Sequence, residues 1–314
     1  MFIPYAGKKV GDIVTKGLVP VGGTVVEMGN QSYSIDREAI QGLIGELVSA
    51  HASSAVNLEA LKEISEKPAA KRPGDPDAPL VADFFKALGF KSYTAIDINT
   101  RFGSLVMDLN KDLEATYGFK EQYDLVTNIG VSEHLFDQAT FFRNAHKLTK
   151  PGGLMLHILP SVNYVNHGFY NYQPVLFFDL AQANGYELLE MKLTDRSVAV
   201  IDALNRNEIG TYFSDFLSHL GIGSRGNLFV ASLMRKGKSE TPFEYPLQGK
   251  YLVDIEGSDI KKEYASTKHP RVVGRKGLFD PAGRSSLPAR IRRKIKRKAL
   301  TILRRISSFI LRRF

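Results

Sequence analysis

The segment Tyr123–Pro160, YDLVTNIGVSEHLFDQATFFRNAHKLTKPGGLMLHILP, reads in order as strand, polar turn, helix, break and strand. Asp124 to Thr127 forms a short, mainly apolar run, and Asn128, Ser132, Glu133 and His134 crowd the point where such a strand ends. Open α/β sheets bind their ligands at these carboxyl ends. Asp137 can cap the next helix, where Phe142, Ala145 and Leu148 recur at helical spacing. Pro151-Gly152-Gly153 stops that helix before the apolar run Leu154 to Leu159. The segment is thus one βαβ unit with polar chemistry at its first turn.

The same pattern extends in both directions. Upstream, Thr24 to Met28 is followed by Gly29-Asn30-Gln31. Tyr93 to Ile98 contains Asp97 and follows the amphipathic stretch Asp83 to Leu88 and the break Gly89-Phe90, and Leu105 to Met107 ends in Asp108. Downstream, Val175 to Asn184 has helical spacing and stops at Gly185, and Tyr186 to Leu193 and Asn227 to Met234 read as the last strands. About seven strands with helices between most of them predict an α/β fold on a parallel sheet. Glu27 and Asp97 are 70 positions apart, where strand, helix and strand need roughly 30. An insertion at about 36–80 is therefore expected, with helical patterns around Ile40, Leu43, Leu47 and around Leu58, Leu61, Ile64, followed by KPAAKRPGDPDAP. It would form a lid or an extra helical layer. A second excess, 196–226, carries an apolar helix-like run at Phe213 to Leu220.

Composition narrows the class. The 314 residues are 43% hydrophobic without a long apolar stretch, which predicts a soluble globular protein with no transmembrane helix. The N-terminus MFIPYAGKKVGDIVTKG interrupts its apolar residues with Gly and Lys and lacks the continuous core of a signal peptide, so an intracellular, cytoplasmic protein is expected. The absence of cysteine excludes disulfides, thiolate metal sites and a cysteine nucleophile, and no metal ligands are expected. The net charge of +9 is not spread over the fold: Arg284 to Phe314 holds twelve Arg or Lys and no acid, leaving −3 for residues 1–283. The globular part therefore needs no polyanionic partner. Residues 240–283, rich in Pro, Gly and charge, read as a linker or a surface-wrapping extension. In 284–314, Leu287, Ile291, Ile295, Ile302, Ile306 and Ile310 recur at four- and seven-residue steps, giving a basic amphipathic helix.

Over about residues 20–237 the order of these elements resembles the class I S-adenosylmethionine-dependent methyltransferases. The resemblance implies a Rossmann-like seven-stranded sheet with helices on both faces, in a domain covering 1–239. VVEMGNQSYS stands where that family has an acidic, glycine-rich loop, but only Gly29 remains of the glycines, with Asn30, Gln31 and Ser32 beside it. The same loss argues against a nicotinamide enzyme, whose pyrophosphate needs those glycines. For the cofactor S-adenosyl-L-methionine, the resemblance implies binding by Glu27, Gly29, Asn30, Gln31, Asp97, Asp108, Asn128 and Ile129. Asp97 would accept from the ribose hydroxyls, a role for which a two-oxygen carboxylate is suited. Asp108 would lie near the adenine amino group or cap a helix. Glu27 would organise the loop or approach the cofactor amino group, or be a plain strand-edge glutamate. Asn128 and Ile129 would flank the methyl donor, with Asn128 equally readable as a turn residue.

Methyl transfer is an in-line displacement, so the protein must chiefly align donor and acceptor and exclude water. For a hydroxyl acceptor, His134 and His167 are the candidate bases, each with a structural alternative. NYVNHGFYNYQP offers amides at Asn163, Asn166, Asn171 and Gln173 and flat faces at Tyr164, Phe169, Tyr170 and Tyr172. That combination suits a sugar or other polyhydroxylated acceptor, or else an aromatic hinge on the core. The basic tail favours an anionic membrane surface, here the inner face, over a partner helix or nucleic acid. Three functions stay open: O-methylation of a small molecule, glycan or lipid-linked saccharide near a membrane, a non-catalytic scaffold of the same fold, and an RNA methyltransferase using the tail.

Overall fold

The computed structural model describes residues 2–50, 55–71, 75–194, 199–202 and 227–248. Its strands are β1 (Thr24–Met28), β2 (Ser92–Asp97), β3 (Leu105–Val106), β4 (Tyr123–Ile129), β5 (Thr149–Val162), β6 (Glu187–Thr194), β7 (Ala199–Asp202) and β8 (Leu228–Arg235). They form one sheet in the order β3-β2-β1-β4-β5-β8-β6-β7. Strands β1 to β5 pair in parallel, whereas β8 runs antiparallel to both β5 and β6. The sheet is therefore mixed, not parallel throughout. The seven strands expected from the sequence are all present. An eighth, β7, is added at the edge by Leu193↔Ile201 pairing, within the excess read as an insertion.

Because β2 and β3 lie to one side of β1 while β4 and β5 lie to the other, the chain reverses direction across the sheet at β1 and β4. Such a switch point opens a crevice at the carboxyl ends of the strands.

Side chains alternate across the sheet. Val25 of β1, Leu125 and Ile129 of β4 and Leu154, Leu156 and Ile158 of β5 face one core, covered by α1 (Pro4–Thr15), α2 (Arg37–Ser49), α3 (Leu58–Glu66) and α4 (Val81–Ala87). Val26, Met28, Val126, Met155 and Leu159 face the other, covered by α5 (Leu113–Tyr117), α6 (Gln138–Leu148) and α7 (Pro174–Asn184). The helices of the 36–80 segment thus build a layer on one face of the sheet, with Ile40, Leu43, Leu47, Leu61 and Ile64 in its core. Asp36, Asn57 and Asp137 cap their helices by accepting from the third backbone N–H beyond.

Helix α1 has no counterpart in the sequence reading. Gly7 and Gly11 depress its helical propensity, yet both let neighbours approach closely: a Cβ at Gly7 would stand 2.2 Å from the terminal methyl of Ile35, and one at Gly11 would stand 2.1 Å from a terminal methyl of Leu43. The buried Lys9 fastens this helix to β6 by donating to Glu190 at 2.9 Å.

Lys236, 2% exposed, donates to the carbonyls of His146 and Thr149 and to the Glu240 carboxylate, each at 2.9 Å. It adds a donor at the junction of α6 and β5, where the His146 carbonyl also accepts from the Thr149 N–H. Lys236→Ala is expected to cost about 2 kcal/mol, the scale of a buried polar group that loses its donor, read as a lower midpoint in urea denaturation. Beyond it, residues 240–248 run over α6 and α7: Thr241 accepts from His146 at 2.7 Å, and Glu244 exchanges two hydrogen bonds with Asn184. The rest of the 240–283 stretch, the run Phe213 to Leu220 and the basic helix at 284–314 lie outside the described residues. Among the described residues, no helix is long and apolar enough to cross a membrane.

Candidate active site

At the end of β1 the chain turns sharply through Gly29, whose φ of +91° lies in the region that favours glycine. A Cβ there would meet Val131 at 2.4 Å, so the absence of a side chain lets the loop after β1 lie against the loop after β4. Asn30 donates its backbone N–H to Asp97 Oδ2 at 2.9 Å, and its side chain bridges to Asn99 and Ser104. Asn99 donates to the other oxygen of Asp97 at 2.6 Å. Both carboxylate oxygens are thereby oriented, and each keeps lone-pair capacity for a ligand. Gly29, Asn30 and Asp97, with Gln31, Ile98, Arg101, Leu109, Gly130, Val131, His134 and Leu135, line a cavity of about 370 Å3, within the roughly 300–1,000 Å3 typical of small-molecule sites. A second cavity, of about 450 Å3, lies between α5, α6 and Thr241 to Phe243. It is away from the strand ends, and its charged groups Lys147 and Glu114 pair with each other.

Asp108 does not line the strand-end cavity. Its Oδ1 accepts from the backbone and side chain of Asn110, so it builds a turn that presents Leu109 to the cavity instead.

Glu27 is fully buried on the α1–α4 side of the sheet. One oxygen accepts from the Tyr93 hydroxyl and the other has no partner. Burial pushes its carboxyl up to about 8, so the folded chain holds a proton there that the unfolded chain releases near the ordinary value of 4.5. Between these values this group makes stability fall as pH rises, by up to about 1.4 kcal/mol per pH unit. Glu27→Gln abolishes the proton exchange. Relative to the parent, the variant is expected to gain on the order of 3 kcal/mol between pH 5 and pH 8, measured by chemical denaturation of both proteins across that range.

The sequence places Asn128 and Ile129 beside the methyl donor, but the structure buries both side chains beneath the cavity, and Gly130 and Val131 line it instead. Asn128 donates to Ser132 Oγ and accepts from the Ser132 N–H at 3.2 Å, closing the turn after β4. It also lies 3.2 Å from Nδ1 of His157 on β5. Burial holds His157 down to about 3. The ring is therefore neutral, and its Nδ1 can accept the Asn128 amide.

After that turn, Glu133 is fully buried, and neither of its carboxylate oxygens has a hydrogen-bond partner. Burial pushes its carboxyl up to about 7. The half-exposed rings of His134 and His167 stand 5.1 Å apart, with their Nε2 atoms 3.7 Å and 3.5 Å from Glu133 Oε1. Burial, then the neighbouring His167, holds His134 below the usual histidine range. The two histidines chosen as candidate bases therefore meet, around a carboxylate that the sequence reading left without a role.

Residues 76–220 match the family described as "Methyltransferase domain", and the seven-stranded α/β sheet with helices on both faces that the sequence resemblance implied is present, with β7 added at its edge. Over these residues the chain is similar to a methyltransferase domain. The match begins after β1, so the altered loop at Gly29 lies outside it. No curated protein matches the sequence. Similar solved structures include the Burkholderia thailandensis 1,6-didemethyltoxoflavin-N1-methyltransferase with bound 1,6-didemethyltoxoflavin and S-adenosylhomocysteine, at 11% identity, covering 74% of this chain and 79% of that one, TM-score 0.39. Another is the O-methyltransferase of a Brevibacillus brevis trans-AT polyketide synthase multienzyme with S-adenosylhomocysteine, at 12% identity, covering 85% and 87%, TM-score 0.35. A third is an S-adenosylmethionine-dependent methyltransferase of Archaeoglobus fulgidus, at 12% identity, covering 73% and 94%, TM-score 0.35.

The loop after β5 folds back on the site. Its two ends meet where Tyr172 donates its N–H to the Pro160 carbonyl at 2.8 Å, and Phe169 and Tyr170 donate theirs to the Glu133 carbonyl. Gly168 passes so close that a Cβ would lie 2.8 Å from that carbonyl. The expectation that Tyr172 faces the acceptor is corrected: it is buried, and its hydroxyl bonds Ser132 and Gln138. Tyr164 is also buried, stacked between Phe229 and His167. Tyr170 donates to the Phe136 carbonyl. Asn163 is exposed in the left-handed region, at φ +61°. The large apolar side chains this loop turns outward are Val165 and Phe169, the latter edge-on to the exposed Phe136.

Proposed function

We propose that the chain is an S-adenosylmethionine-dependent methyltransferase that methylates an oxygen of a small-molecule, glycan or lipid-linked saccharide acceptor. The observation that carries this reading is the strand-end cavity. Asp97 offers oriented carboxylate oxygens to a diol, and Ile98, Leu109 and Leu135 offer apolar walls to a purine. Gln31, 5% exposed, has a side-chain carbonyl oxygen without a partner, which suits an ammonium group. The residues present therefore fit this cofactor despite the missing glycines, since no phosphate has to be cradled.

When bound, S-adenosylmethionine supplies an electrophilic methyl group on a sulfonium. The chain's own tasks are alignment, exclusion of water and handling of the acceptor's proton. Asp97 and Gln31 fix the cofactor's ends. Val131, Leu135 and the β5 loop shield the transfer point, and Glu133, His134 and His167 stand at the acceptor side to offset the proton that a hydroxyl must lose. The outward aromatics Phe136 and Phe169 give the acceptor flat faces, as a saccharide requires. The basic amphipathic pattern of 284–314 supports attachment to anionic lipid on the cytoplasmic face of a membrane.

Calorimetric titration of the full chain with S-adenosylmethionine tests the reading. Saturable binding with one site per chain is expected. A folded protein that takes up no heat at millimolar ligand would leave the scaffold alternative, which the bonds already tying Asp97 to Asn30 and Asn99 would then explain.

A further inference from the structure

We propose that Glu133, His134 and His167 form a divalent transition-metal site at the acceptor side of the cavity. One oxygen of Glu133 and one ring nitrogen of each histidine lie within 4.8 Å of one another. Glu133 is 0% exposed and aimed at the two rings, with both oxygens lacking a hydrogen-bond partner. A buried carboxylate without partners costs several kcal/mol unless paired, and a cation between it and the rings removes that cost.

The geometry requires little adjustment. Metal–ligand bonds near 2.0–2.2 Å place tetrahedral ligands about 3.3 Å apart. Oε1 of Glu133 already lies 3.5 Å and 3.7 Å from the two nitrogens. Only the separation of the two rings must shrink, and both side chains are half exposed, 48% and 44%, so they can turn. The backbone beneath is fixed by Phe169 and Tyr170 donating to the Glu133 carbonyl. Two imidazoles and one carboxylate form a set that suits Zn2+, Co2+ or Fe2+ and leaves positions open, whereas Mg2+ prefers oxygen ligands.

An open position beside the cavity is where an acceptor oxygen would sit. Bound there, a hydroxyl has its pKa lowered and releases its proton to solvent water before accepting the methyl group. This role rests on the methyltransferase reading above, but the binding of the ion does not.

Titration of the chelator-treated full chain with Zn2+, and with Co2+ followed by visible absorption, tests the site without cofactor. One equivalent is expected to bind, with a Co2+ spectrum characteristic of nitrogen and oxygen ligands. Glu133→Gln and the double variant His134→Ala/His167→Ala are each expected to weaken binding by about 100-fold or more, at or beyond the upper end of effects from outer-shell losses. Near-ultraviolet circular dichroism reports whether each variant is folded. Unchanged affinity in the folded double variant, or no binding by the parent, would overturn the site. Metal binding without binding of S-adenosylmethionine would instead sink the methyltransferase reading and leave the metal site standing.

Discussion

Asp97→Ala is expected to lower affinity for S-adenosylhomocysteine by 100-fold or more. A carboxylate accepting from two hydroxyls makes charge-assisted hydrogen bonds of about 1.5–3 kcal/mol each, and a loss of about 3 kcal/mol corresponds to that factor. Asp97 also holds the Asn30 N–H and the Asn99 amide, so the alanine variant will lose some thermal stability. Asp97→Asn is the intermediate case. It retains one carbonyl oxygen for the Asn30 N–H, but its amide nitrogen faces the Asn99 amide donor and it cannot serve both hydroxyls as a charged acceptor, so its affinity and its melting temperature should both fall between parent and alanine. Parent-like binding by the alanine variant, measured by calorimetry, would show that the ribose contact lies elsewhere.

Gly29→Ala is expected to destabilise the fold by about 3 kcal/mol or more and to abolish cofactor binding. The left-handed φ costs an alanine about 1–2 kcal/mol, and its methyl group would overlap three atoms of Val131 at 2.4 to 3.0 Å. Val131 lines the cavity, so its displacement closes the space that the cofactor needs. Gly29→Ala/Val131→Ala removes the overlap and keeps the backbone strain. The two contributions should therefore be strongly non-additive, as is usual for residues in contact, with the double variant only about 1–2 kcal/mol below the Val131→Ala protein. Additive losses in thermal denaturation would mean that the two loops do not touch.

The seven-strand pattern was legible because each buried strand is a short apolar run ending in a polar or glycine residue, as in TVVEMGN and TAIDIN. What local pattern could not convey was the direction of β8, which depends on its partners, and α1, whose glycines look like breaks until the close approach of Ile35 and Leu43 is seen. In the site, Asp97 and Gly29 stood out by their place at strand ends. Glu133 did not, because a glutamate in a polar turn ordinarily faces water, and only the return of the β5 loop at Gly168 covers it. Its signal in the sequence was indirect: the adjacent His134 and the glycine-bearing segment NHGF 33 residues further on. Asn128 and Tyr172 were misplaced for a related reason. A polar group at a strand end reads as a ligand contact, whereas here both complete a buried network through Ser132 and His157.

The clasp of the β5 loop onto the Glu133 carbonyl also divides that loop into what selection must keep and what it is free to change. Gly168 and the N–H groups of Phe169 and Tyr170 are pinned by the approach to Glu133, and Tyr172 closes the base on Pro160. The side chains of Val165 and Phe169 project away from these attachments. On the proposed reading, exchanging them retunes which acceptor is admitted and leaves the donor side untouched, so the loop can diversify without rebuilding the fold beneath it.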